Sequence, residues 1–108
     1  MKKYLIMVIA LFYLNIGAYA GVSFRTTQKV CSQDEERLEF YRDGTCVIRT
    51  NSHRFEGTYS LENHNKEIVI KSEGQKFRGT ITWHNNTTQD RIIQIEFEGT
   101  KYKPGLCK

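Results

Sequence analysis

A four-residue phrase recurs along this chain and constrains its fold more than any other feature. It reads Phe55-Glu56-Gly57-Thr58, Phe77-Arg78-Gly79-Thr80 and Phe97-Glu98-Gly99-Thr100, at spacings of 22 (77 minus 55) and 20 (97 minus 77) residues. Tyr41-Arg42-Asp43-Gly44-Thr45 is a looser relative. Around each copy apolar and polar residues alternate, the period of a half-buried β-strand. A glycine inside a strand weakens it unless the strand bends there or another group comes close. Inward glycines two residues after a phenylalanine therefore predict a tightly coiled sheet whose neighbouring rings cover the gaps.

The pattern predicts an all-β chain: an antiparallel up-and-down meander of 6–8 strands closing into a small barrel or sandwich. Arg37 to Arg42 and Thr45 to Thr50 flank the hairpin signal Asp43-Gly44. Arg54 to Glu62 puts Phe55, Gly57, Tyr59 and Leu61 on one face. Glu67 to Ser72 follows, then Lys76 to Trp83 with Phe77, Gly79, Ile81 and Trp83 inward. Arg91 to Lys103 reads as one long final strand, bent or broken at Gly99, with Ile93, Ile95 and Phe97 inward and Tyr102 on the opposite face with Tyr41. Val22 to Thr27 alternates weakly, and Ser32 to Glu35 allows one helical turn. Pro104 ends the last strand.

The first 20 residues read as a cleaved secretory signal. Lys2 and Lys3 precede an uncharged apolar run from Tyr4 to Leu14, and Ala18-Tyr19-Ala20 is a small-x-small cleavage site. The run falls short of the roughly 20 apolar residues that span a bilayer, so no membrane anchor is expected after cleavage. Residues 21–108 then form a single all-β domain of 88 residues (108 minus 20), exported to a periplasm or secreted. Removing two signal lysines leaves 14 basic against 12 acidic groups, and no run of Lys or Arg forms a stripe along the sequence, so nucleic acid is not an expected partner.

An exported chain can oxidise its cysteines. Of Cys31, Cys46 and Cys107, the first precedes the confident strands and the last follows them. In a closing meander these ends meet, which favours Cys31–Cys107 with Cys46 free. Cys31–Cys46 is disfavoured because the Asp43-Gly44 turn would set Cys46 opposite Tyr41, and Cys46–Cys107 stays open.

The order Phe40 to Thr45, Phe55 to Tyr59 and Ile68 to Ile70 resembles bacterial lipocalin-like domains over about half of the mature chain. The resemblance implies an antiparallel meander barrel. No Gly-x-Trp stands near residue 21, so it does not extend to a lipid or porphyrin ligand.

No HxH, HExxH, CxxC, Gly-x-Ser-x-Gly or phosphate-loop spacing is present, so neither a metal, a cofactor nor a catalytic set is expected. Cys46 lies among Thr45, Val47 and Ile48 without a neighbouring base. In a meander alternate loops share one end. Asp43, Gly44, Asn63, His64, His84, Asn85 and Asn86 are thus expected together, and form the candidate surface for contact with another exported protein, as in an inhibitor or immunity protein. The alternative is a carrier of a small apolar ligand, with Tyr59 and Trp83 as interior contacts. Asn85 and Asn86 also open overlapping Asn-x-Thr glycosylation sequons.

Overall fold

The computed structural model describes residues 22–107; the segment read from the sequence as a secretory signal lies outside the described residues. Eight strands follow one another in a single antiparallel sheet, each paired with the next: β1 (Gln28–Cys31), β2 (Arg37–Phe40), β3 (Thr45–Arg49), β4 (Arg54–Glu62), β5 (Glu67–Ser72), β6 (Gln75–Trp83), β7 (Ile92–Phe97) and β8 (Thr100–Tyr102). A 3-10 turn, Pro104–Leu106, follows β8. The sheet curls into a nearly closed barrel. Cys31 and Lys103 join its two edges by exchanging both backbone hydrogen bonds, Cys31 N–H to Lys103 O at 3.0 Å and Lys103 N–H to Cys31 O at 2.8 Å. The Cys31–Cys107 disulfide pins the same seam. Cys46 is free and buried.

The turns set the register. At β2–β3 the Asp43 carboxylate accepts from the Thr45 amide (3.0 Å) and hydroxyl (2.6 Å), and Gly44 takes φ +91°. The Tyr41 amide bonds to Thr45 O, so the loop holds Arg42, Asp43 and Gly44. Cys46 is therefore opposite Phe40 and not, as expected, Tyr41. Glu73-Gly74 and Glu98-Gly99 each place two consecutive residues at positive φ, the two-residue hairpin geometry that matches strand twist.

The third copy of the recurrent phrase is thus a hairpin, and the long final strand is two strands, β7 and β8. Residues facing across a hairpin share a sheet face. Tyr102 is opposite Ile95 and points inward, 8% exposed, which corrects its expected outward placement. A second correction lies in β7. A bulge between Thr82 and Trp83 pairs Trp83 with Ile92, so Ile92 enters the core and Ile93, expected inward, is 44% exposed.

Gly57 and Gly79 do face inward at points of close approach. A β-carbon on Gly57 would stand 2.3 Å from the Lys71 carbonyl oxygen, and one on Gly79 would stand 2.6 Å from the Phe97 ring. The tight coil of β4 over β5 requires the first, and the Phe97 ring occupies the space left by the second. The core joins Phe24, Val30, Leu38, Phe40, Cys46, Tyr59, Leu61, Ile68, Ile70, Ile81, Trp83, Ile92, Ile95 and Tyr102. No helix among the described residues is long and apolar enough to cross a membrane.

Candidate functional site

The up-and-down course brings the β2–β3, β4–β5 and β6–β7 loops to one end of the barrel. The chain ahead of β1 crosses that end and plugs it. Leu61 N–H bonds to Val22 O at 2.8 Å, and the Ser23 hydroxyl to Arg42 O at 2.7 Å. Phe24 N–H donates to the Tyr59 hydroxyl (2.9 Å), which donates to Tyr41 O (2.7 Å). The Phe24 ring packs on Phe40, Tyr59 and Trp83 at centroid distances of 5.6, 5.4 and 6.0 Å. The weak alternation at Val22 to Thr27 is therefore not a strand: the segment is an irregular lid tied to the barrel by one bridge at Val22.

Tyr59 and Trp83, the candidate interior contacts, sit directly beneath this plug and are 6% and 8% exposed. Their polar atoms are engaged, since the Trp83 indole N–H donates to Asn65 O at 2.7 Å. Burial pushes the Tyr59 hydroxyl above the usual tyrosine range.

The two larger loops are locked to each other. Asn63, His64 and Asn65 form an unbroken run at positive φ (55°, 57° and 63°), a conformation side chains resist. It is held by Lys66 N–H to Asn63 O within the loop and by the facing β6–β7 loop. There Gln89 accepts from Asn65 Nδ2 (3.0 Å) and donates from Nε2 to His64 O (2.9 Å). Asn85 caps its own loop, its Oδ1 accepting from the Thr87 and Thr88 amides at 2.8 and 3.2 Å. Arg25 reaches Thr88 O from the lid segment.

His64, His84 and Asn86 project from this frame as exposed side chains, and Asn63 and Asn85 flank them. Asp43 and Gly44 lie at the same end: Gly44 O accepts from the Tyr59 amide at 2.9 Å, and the neighbouring Arg42 and Tyr41 carbonyls accept from the Ser23 and Tyr59 hydroxyls. The hydrogen bonds from Thr45 hold the Asp43 carboxyl below the usual carboxylate range. Gln89, which couples the two loops, carried no motif; only its place in a polar gap hinted at a loop role. Among the described residues no three His, Cys, Asp or Glu side chains are grouped to hold a metal ion. The thiol of Cys46 is pushed up to about 11 by burial, so it stays protonated at neutral pH.

The opposite end of the barrel is open. A recess of about 250 Å³ is lined by Leu38, Ile48, Ile70, Phe77, Phe97 and Tyr102. Phe77 is on the inner face but stands at the mouth, 36% exposed. Phe55, half-buried, stacks against His53 with ring centroids 5.8 Å apart. The Tyr102 hydroxyl reaches across to Glu36 Oε1 at 2.7 Å and closes one side. Sequence parity marked Phe55, Phe77 and Phe97 as inward but carried no sign that the barrel is filled at one end and hollow at the other.

No protein-family model, no curated protein and no solved structure matches the chain.

Proposed function

We propose that this is a small, non-enzymatic binding protein that is exported after loss of residues 1–20 and acts, as an inhibitor or immunity-type protein would, on another exported protein through its plugged loop end. One observation carries this reading: the Asn63–Lys66 and His84–Arg91 loops are locked together through Gln89 and stand on a packed aromatic lid. Loops held this way lose little conformational freedom on binding, and preorganisation is what converts modest contact area into affinity. The disulfide supports a periplasmic or secreted site, where thiols oxidise. Neither nucleic acid nor a membrane is proposed as a partner, and no cofactor is invoked.

Capture from the exported fraction tests it. The mature protein should retain a discrete protein partner, and a His64→Ala/Asn86→Ala double variant should lose it without a change in melting temperature. Equal retention by both, or no partner at all, contradicts the proposal.

The recess at the other end favours a second reading, a lipocalin-like carrier of a small apolar ligand. At about 250 Å³ it is smaller than the roughly 300–1,000 Å³ of usual small-molecule pockets, which ranks this reading second.

A further inference from the structure

Three arginines far apart in sequence stand side by side on the outer wall. The register places Arg37 of β2 opposite Arg49 of β3, and Arg49 opposite Arg54 of β4. Neighbouring strands are about 4.8 Å apart, so the row spans about 10 Å. Like charges directly opposite one another destabilise a sheet. This row is therefore a cost to the fold, and what it gains in return must lie elsewhere.

One buried acid partly offsets that cost, and in doing so it aims the row outward. Glu39 lies on the same outer face, yet its side chain is only 6% exposed, against 34% and 46% for Arg37 and Arg49. Its Oε2 is 2.9 Å from Arg37 Nε and 3.6 Å from Arg49 Nε, and its Oε1 accepts from the Tyr41 hydroxyl at 2.6 Å. The Arg37 contact is an ion pair whose N–H is not aligned for a hydrogen bond. Both guanidiniums thus turn their Nε edge to the wall. Among the described residues the Nη atoms of Arg37 and Arg49 make no hydrogen bond, and those edges are the pair geometry that grips a carboxylate bidentately. Arg54, 49% exposed, extends the row and pairs only with the exposed Glu56.

We infer that the outer wall of β2, β3 and β4 is a docking surface for the carboxylate-bearing face of a helix on a partner protein, with Arg37, Arg49 and Arg54 as its anchors and Glu39 as the residue that positions two of them. The row stands at the rim opposite the plugged loops, where β3 ends and β4 begins, so it is a second contact, separate from the loop end; the inference rests on the proposed role as a binder of another exported protein. The spacing selects the helix. Side chains three or four residues apart on a helix have β-carbons about 5–6 Å apart, close to the strand spacing of the row. Alternate carboxylates on an extended strand would be about 6.6 Å apart and drift out of step. Arg and Tyr are also the residues that most often anchor interfaces.

The test uses the mature protein and a helical alanine-based peptide with glutamates at three positions four residues apart. A scrambled peptide of equal charge and a heparin fragment serve as competitors. The helical peptide is expected to bind at least about fivefold tighter than the scrambled one, and an Arg49→Gln/Arg54→Gln variant to weaken it about tenfold with a shallower salt dependence. Equal binding of the two peptides, tighter binding of heparin, or an unchanged affinity in the variant overturns the inference. Arg54→Gln alone leaves the Glu39 pairs intact and should lower affinity without altering the melting temperature; an unchanged affinity there also counts against it. If the Arg49→Gln/Arg54→Gln variant still captures the exported partner with unchanged salt response, the docking surface is wrong and the binding function stands. If the helical peptide binds as expected but no exported partner is captured, the surface stands and the function fails.

Discussion

The ring of Phe97 lies against the α-carbon of Gly79, so close that a β-carbon there would stand 2.6 Å from the ring edge. The contact joins β6 to β7 inside the barrel and forms one wall of the open recess. Gly79→Ala should therefore destabilise by about 1–3 kcal/mol through overpacking. Both sites also meet a backbone carbonyl, Glu96 O at Gly79 and Lys71 O at Gly57, and Gly57→Ala should cost more because its approach to that carbonyl is the closer. Urea unfolding of the two variants ranks them, and a neutral Gly57→Ala would show that β4 does not coil as described.

The disulfide closes a loop of 76 residues' separation around nearly the whole barrel. By the loss of loop-closure entropy in the unfolded chain it stabilises by about 4–5 kcal/mol. A Cys31→Ser/Cys107→Ser variant should melt well below the parent, and a reducing agent should lower the melting point of the parent alone. Equal melting of the two proteins would contradict the seam as drawn.

Glu39 links stability to pH. The Tyr41 hydrogen bond, followed by the charges of Arg37 and Arg49, holds its carboxyl below the usual range despite burial. A folded-state pKa that is depressed gives stability that is present above the unfolded carboxylate pKa and is lost as pH falls through the folded one. The parent should lose stability on acidification through the carboxylate range, and Tyr41→Phe should flatten that limb. Parallel pH profiles for the two proteins would remove Glu39 from the account.

Cys46 lies in the core beneath the plugged end, its thiol pushed up to about 11 by burial. Alkylation by iodoacetamide at pH 8 should be negligible in the native protein and fast in denaturant. Rapid native labelling would show that the barrel opens on the timescale of the reaction, or that the thiol is reachable from outside.

How much of this was legible in the sequence is clearest at one tetrapeptide. Phe-Glu-Gly-Thr occurs at 55–58 and again at 97–100, and the two copies fold differently. The first lies within the first half of β4, its glycine opposite Cys46. The second is a hairpin, with Glu98 and Gly99 both at positive φ. Local preference is the same, so tertiary context decides. The first copy pairs along its whole length with β3 and at Thr58 also with β5. After the second, only Lys101 to Lys103 remain before Pro104, and the chain must fold back at Glu98-Gly99 to reach Cys31. The five strands between Arg37 and Trp83, the Asp43-Gly44 turn and the disulfide were readable because period, turn chemistry and chain ends all agree, whereas β1 at Gln28–Cys31 was not read as a strand. The Trp83 bulge, the Phe24 plug and the arginine row were not, because each depends on which residue faces which across strands.

The loop end carries the central claim, and site-specific photo-crosslinking in the native compartment tests it most directly. A photoreactive residue at His64 or Asn86 should yield a discrete protein adduct, while one at Phe77, at the mouth of the recess, should yield none. Adducts at Phe77 with none at His64 and Asn86 would contradict the account, as would the absence of any adduct.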